Sequence, residues 1–201
     1  MISYLKQWIL CLNRERHRII DYLYLRCHGV ETSYGYCRLV GFPVISRVKG
    51  SAIIIEDNVT VVSKTKGNIA GVNNRSIIAT IAHGATITLK NGSGISGAKM
   101  VSAISIELGK HSGLGVNSVV YDTDFHPICG NARRRQKSIQ DAKSKKVLIG
   151  DDVLIGANSI ILKGTVISNN VVVGAGSVAA GQTLVPNSVY AGNPCIKVKD
   201  I

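Results

Sequence analysis

The sequence predicts an all-β solenoid, in which short strands wind into stacked coils, with a helical appendage at the N-terminus. Three observations carry this reading. A six-residue beat runs through the C-terminal quarter: Ile149, Ile155, Ile161, Ile167, Val173, Ala179, Val185 and Ala191 are evenly spaced and all aliphatic. Four residues after each of the first seven come Val153, Ser159, Thr165, Val171, Ser177, Thr183 and Val189, all small or β-branched, while Gly150, Gly156 and Gly174 directly follow lead residues. Finally, 45% of the 201 residues are hydrophobic but only 5% are aromatic. An α-helix repeats every 3.6 residues and a strand every two, so neither explains one obligatory aliphatic position in six. A short flat strand followed by a tight corner does. Its aliphatic side chain points inward, and stacking the coils builds one narrow aliphatic column with hydrogen bonds between coils. Rings would not fit in such a column.

The appendage is expected over residues 1–50. Residues 3–27 contain no Pro or Gly, and Ser3 offers an N-cap. Leu5, Trp8, Ile9 and Leu12, then Ile19, Ile20, Leu23 and Tyr24, recur at helical spacing. The polar block Asn13-Arg14-Glu15-Arg16-His17-Arg18 interrupts them, so the segment lacks the roughly 18 consecutive apolar residues of a membrane span. No small-residue cleavage site follows a clean apolar stretch, which reads against a signal peptide. Two readings stay open: the helix packs on the domain, or it lies on an anionic membrane surface.

Residues 51–201 are expected to form the solenoid. Its beat starts at Ile55 and Val61, resumes at Ile81 and Ile87, and continues through Ile95, Val101, Leu108, Leu114 and Val120. Polar, turn-rich residues between Val61 and Ile81 mark one insertion. A second, basic insertion is expected at 127–147.

Charge follows the same division. The chain carries 24 Lys and Arg against 12 Asp and Glu. The first fifty residues hold +5 and residues 131–146 hold +6, whereas the remaining segments are nearly neutral. The basic run lacks interleaved aromatics, which excludes a nucleic-acid role. Cys11, Cys27, Cys37, Cys129 and Cys195 form no CxxC pair and no even framework, so reduced thiols and a cytoplasmic location are expected.

The hexads Ile149-Gly-Asp-Asp-Val-Leu, Ile155-Gly-Ala-Asn-Ser-Ile and Val173-Gly-Ala-Gly-Ser-Val resemble those of the left-handed parallel β-helix acyltransferases. Asp122-Thr-Asp124-Phe-His126-Pro127 with its Arg-rich insertion, and the ending Ala191-Gly-Asn-Pro-Cys-Ile-Lys197-Val-Lys199, are similar to the maltose, galactoside and polysaccharide O-acetyltransferase branch. The resemblance covers roughly residues 50–201. It implies a left-handed coil, a homotrimer with sites between subunits, acetyl-CoA as donor without a metal, and a sugar or polysaccharide acceptor. By this resemblance the protein works in the cytoplasm on surface polysaccharide, with the inner membrane surface as one option.

Transfer of acetyl to a sugar hydroxyl needs a base, and histidine suits neutral pH. His17 and His28 lie in the appendage and His83 and His111 at corners, whereas His126 ends a coil where the regular wall breaks. The resemblance also places the base there. Asp122, Asp124 and His126 share parity, so on an extended segment they point to one side. Asp124 is then a candidate to orient the imidazole and Asp122 to bind acceptor hydroxyls, although either carboxylate also suits turn N–H groups. The resemblance implies a polar residue facing the base, for which Ser96 is the candidate, and a backbone oxyanion donor at Ala157 after Gly156. It implies a pantetheine track past Ala175 and Ala180, and Lys197 or Lys199 for the 3′-phosphate. Arg133 and Arg134 are candidates for an acidic or lipid-linked acceptor; the competing reading is a solvated loop. Three alternatives remain: N-acetyl transfer to an amino sugar, a non-catalytic binding solenoid, and a metal-dependent hydratase. The last lacks closely spaced histidines.

Overall fold

The computed structural model describes residues 16–33 and 37–201. The predicted Ser3 cap and the stripe Leu5, Trp8, Ile9 and Leu12 lie outside the described residues. Helix α1 covers 16–27. It docks through Leu25, which is buried, and through Asp21, which accepts a 3.0 Å hydrogen bond from Leu39 N–H. Tyr24 donates to Pro43 O at 2.7 Å and stacks on Phe42. Burial holds the Asp21 carboxyl above its ordinary range, opposed by the Leu39 N–H. Ile19, Ile20 and Leu23 of the expected apolar face remain exposed. No helix among the described residues is long and apolar enough to cross a membrane.

The solenoid is a left-handed parallel β-helix with three faces. Sheet I stacks β1 (Arg38–Val40), β4 (Thr60–Val62), β7 (Gly94–Ser96), β10 (Gly113–Leu114), β13 (Leu154–Ile155), β16 (Val171–Val173) and β19 (Ser188–Ala191). Sheet II stacks β2 (Val44–Arg47), β5 (Ile77–Thr80), β8 (Lys99–Ser102), β11 (Val119–Tyr121), β14 (Ile160–Leu162) and β17 (Val178–Ala180). Sheet III stacks β3 (Ala52–Ile55), β6 (Thr86–Leu89), β9 (Ser105–Leu108), β12 (Val147–Ile149), β15 (Val166–Ile167) and β18 (Thr183–Leu184). The first coil therefore starts at Arg38, within the segment expected to be appendage. Strand β20 (Ile196–Asp200) closes sheet I by pairing antiparallel with β19.

Three aliphatic columns fill the prism. Val61, Ile95, Leu114, Ile155 and Val173 stack in sheet I, and Ile78, Met100, Val120, Ile161 and Ala179 in sheet II. Ile55, Leu89, Leu108, Ile149, Ile167 and Leu184 stack in sheet III. Two expected core positions upstream are displaced: Ile81 and Val101 are only half-buried, and Ile78 and Met100 point inward instead. Alternation in a strand moves every side chain to the other face when the phase slips by one. The same happens at the end. The turn at Gly181 (φ 67°) shortens the step from Ala179 to Leu184 to five residues. Val185 is therefore exposed, and Leu184 and Tyr190 take the buried places expected for Val185 and Ala191. A ring fits at Tyr190 because only the closing segment lies below it.

Corners need left-handed backbone, supplied by Asn58, Asn117, Asn158, Asn170 and Asn187, and by His111 (φ 55°). The His83 and His111 rings pack over Gly50 and Gly92 of the preceding coil. Buried hydroxyls tie neighbouring coils together: Ser112 donates to Gly150 O at 2.7 Å and Ser159 to Gly174 O at 2.9 Å. At Gly156 the constraint is close approach, because an added Cβ would lie 2.4 Å from Ala175 N. We expect Gly156→Ala to cost about 1–3 kcal/mol by overpacking, read as a lowered melting temperature in calorimetry; an unchanged melting temperature would contradict this packing.

Candidate functional site

The basic insertion leaves sheet II after β11 and returns at β12, along the edge between sheets II and III. Its stem is zipped. Thr123 bridges Ser144, with Ser144 Oγ donating to Thr123 Oγ1 at 2.8 Å, while Asp124 N–H donates to Lys143 O and Lys145 N–H to Asp122 O. At its root Asp122 is fully buried. Its carboxylate accepts from Ser102 Oγ (2.7 Å) and from the N–H groups of Ala103 (2.6 Å), Ile104 (2.8 Å) and Ser105 (2.7 Å). Asp122 is therefore a turn anchor, and the expectation that it binds acceptor hydroxyls is corrected. Asp124 also departs from expectation. Its Oδ1 pairs with Lys163 Nζ at 2.6 Å, and Oδ2 is buried without a partner among the described residues, so it does not orient the imidazole.

Phe125 breaks the extended run that the parity argument assumed. Its φ of 61° lies in the left-handed region, its N–H is held by Thr123 Oγ1 at 3.2 Å, and its ring packs edge-on against Tyr121. That twist turns His126 outward onto a cavity of about 610 Å³ lined by Phe125, His126, Arg133, Gln136, Lys137, Ser138 and Ile139. His126 Nδ1 lies 2.7 Å from Gln136 Oε1. Arg133, from the short helix α2 (Gly130–Arg134), reaches the cavity with one guanidinium nitrogen on Ile128 O. Arg134 is bound instead to Asn131 of its own turn and does not line the cavity; Lys137 does. The cavity's far side is a turn capped by Ser138 and Asp141. The N–H groups of Lys137 and Ser138 hold the Asp141 carboxyl below its ordinary range. Gln136, Lys137 and Lys163 went unnoticed in the sequence, where they look like ordinary polar members of basic or corner segments.

The other predicted residues line a different edge, between sheets I and II. Ser96, Gly115, Gly156 and Gly174 follow the paired residues Ile95, Leu114, Ile155 and Val173, one rung apart, or about 4.8 Å each. Ser96 Oγ accepts from Asn68 Nδ2 at 3.3 Å. Gly156 N–H is taken by Val173 O, whereas the N–H groups of Ala157 and Ala175 make no hydrogen bond among the described residues. One coil up, Val116 is covered by Val62 and Val72; half-buried Ala157 packs against that cluster, and the track of small residues becomes exposed at Ala175. It points toward β20, where Lys197 pairs with Asp200 at 2.6 Å and Lys199 has no ion pair among the described residues. Ala180 lies on the opposite edge, after Ala179 and beneath Leu162, on the side of His126. The full width of sheet II therefore separates His126, Arg133 and Ala180 from Ser96, Ala157 and Ala175. One chain does not bring them together.

This geometry belongs to a known class of fold. Residues 146–178 match the family model described as the hexapeptide repeat of succinyl-transferase, and the chain is a hexapeptide-repeat β-helix like those of known acetyltransferases. No curated protein matches the sequence. Among solved structures, the chain is similar to the polysialic acid O-acetyltransferase OatWY, at 21% identity and a TM-score of 0.55, covering 85% of this chain and 87% of that one. It is similar to AntD, an N-acyltransferase from Bacillus cereus solved with dTDP and 3-hydroxybutyryl-CoA, at 20% identity, a TM-score of 0.60 and coverage of 88% and 86%. It is also similar to a maltose O-acetyltransferase from Clostridium difficile 630, at 23% identity, a TM-score of 0.50 and coverage of 96% and 88%.

Proposed function

We propose that the protein is an acetyl-CoA-dependent O-acetyltransferase acting on a hydroxyl of a sugar in surface polysaccharide synthesis, with His126 as general base. The observation that carries this is the placement of an imidazole, with one nitrogen hydrogen-bonded and Nε2 without a partner among the described residues, on a cationic cavity at the longest break in the coils. Two structural neighbours are O-acetyltransferases, and a third, the N-acyltransferase AntD, was crystallised with an acyl-CoA. The track at Ala157 and Ala175 fits a pantetheine arm, because its N–H groups, unbonded among the described residues, can donate to it and its side chains allow close approach. Gly156 keeps the coil beneath it tight. Ala180 would border the arm from the facing edge, and Lys199, with Lys197 beside it, would meet the 3′-phosphate.

In this reading Nε2 takes the hydroxyl proton as the oxygen attacks the thioester carbonyl. Ala157 N–H stabilises the tetrahedral oxyanion. Collapse breaks the C–S bond, and the imidazolium returns its proton to the departing thiolate, leaving acetyl ester and free CoA thiol. Because the two edges lie a sheet apart, the reading needs a second copy to supply Ala157 and Ser96 opposite His126, as a homotrimer does. An N-acyltransferase neighbour favours an amino-sugar acceptor as the second reading. Arg133 and Lys137 disfavour it, because they repel an ammonium and attract a carboxylate or phosphate on the acceptor.

Mixing the protein with acetyl-CoA and neutral, amino and acidic sugars, and following thiol release, tests the reading. Turnover is expected on hydroxyl acceptors, fastest with an acidic one; no thiol release with any of them would overturn it. Joint substitution of Arg133→Gln and Lys137→Gln should raise KM for the acidic acceptor about tenfold or more, from lost charge-assisted bonds, and leave KM for acetyl-CoA unchanged. An unchanged acceptor KM would remove the cationic cavity from acceptor binding.

A further inference from the structure

We infer that Gln136 is a positioning residue that selects the Nδ1–H tautomer of His126 and so leaves Nε2 as the basic nitrogen. Three hydrogen bonds fix the orientation of the amide. Gln136 Nε2 donates to Phe125 O at 2.8 Å and to Ser138 O at 3.1 Å. Both partners are carbonyl oxygens, which only accept, so the amide nitrogen must face them; a flipped amide would set oxygen against two oxygens. Oε1 is then obliged to face His126, where it lies 2.7 Å from Nδ1. An amide oxygen only accepts, so Nδ1 must carry the proton in the neutral ring. The lone pair sits on Nε2.

The arrangement has a second consequence. Phe125 and Ser138 both line the cavity. One half-buried amide bonds both and the imidazole, so the ring and its proton are set together. Asp124, the carboxylate nearest in sequence, is engaged by Lys163 and takes no part. A neutral acceptor also differs from a carboxylate in kind. It fixes the proton on Nδ1 without adding a negative charge that would favour the imidazolium. Arg133 and Lys137 stay the charged groups of the cavity, available to an anionic acceptor.

The role of Gln136 in transfer rests on the proposed base, but its effect on the ring does not. Nitrogen-15 spectra of imidazole-labelled protein in alkaline buffer, assigned with His126→Ala, report which nitrogen is protonated. The wild type should show Nδ1–H. Gln136→Leu should shift the ring toward Nε2–H, and kcat should fall about ten- to a hundredfold, the scale of a misplaced catalytic group, with KM for acetyl-CoA unchanged. Gln136→Glu keeps an acceptor and loses the donor, so the Nδ1–H signal should survive even as the bonds to Phe125 and Ser138 are lost. A wild-type ring protonated at Nε2, or an unaltered spectrum in Gln136→Leu, would overturn the inference. Normal turnover in His126→Ala would instead overturn the proposed base and leave the tautomer result standing.

Discussion

His126→Ala is expected to lower acetyl transfer by about 10²- to 10⁴-fold, the usual contribution of a positioned general base, while leaving the fold intact. The side chain faces the cavity and its ring bonds only to Gln136 among the described residues, so its removal opens no hole in the aliphatic columns. Circular dichroism and melting temperature should match the wild type. KM for acetyl-CoA should change little, since the track at Ala157 and Ala175 lies on the other edge. Thiol release at wild-type rate would remove His126 from the mechanism. Residual turnover is also expected, because orientation and the oxyanion donor act without the base.

Asp122→Ala is expected to act in the opposite way, on stability. Truncation strips one buried carboxylate from three backbone N–H groups and the Ser102 hydroxyl. Each orphaned buried donor costs about 1–3 kcal/mol, so a total of roughly 3–5 kcal/mol is reasonable after local relaxation. Urea titration should show a lower midpoint with an unchanged slope. Had Asp122 been an acceptor contact, the variant would raise KM and melt normally, so the two measurements separate the roles. Asp122 also fixes where the insertion begins, and Lys145 N–H is bonded to its carbonyl. Loosening that root should therefore lower activity as well.

The two aspartates show how far sequence reading reaches. From Ile149 to Ala179 each coil keeps its full six-residue step, so the buried column is legible by counting. Upstream the steps vary, longer from Val61 to Ile78 and shorter from Ile95 to Met100, and at Gly181 one shortens again; these slips exchange inside for outside at Ile81, Val101 and Val185. His126 was legible because it stands where the beat fails. Its surroundings were not. The parity argument put Asp122, Asp124 and His126 on one side, but the left-handed Phe125 rotates the chain between them. Gln136 sits ten residues away in a loop with no period, and only folding brings its amide to the ring. The membrane option for the helix rested partly on residues outside the described part, and the described part docks by Asp21, Tyr24 and Leu25.

A stack of parallel coils has one hazard that barrels avoid: its last coil exposes a row of unpaired amides and carbonyls, a template on which another molecule's strand can add. Strand β20 answers it on sheet I. By reversing direction against β19 it occupies that row, and it carries the charged Lys197, Lys199 and Asp200. Incoming strands thus meet charge where they would find a ladder. Under the proposed function, the lysines that would meet the donor's phosphate lie on this same covering strand, so one strand would serve both edge protection and donor binding.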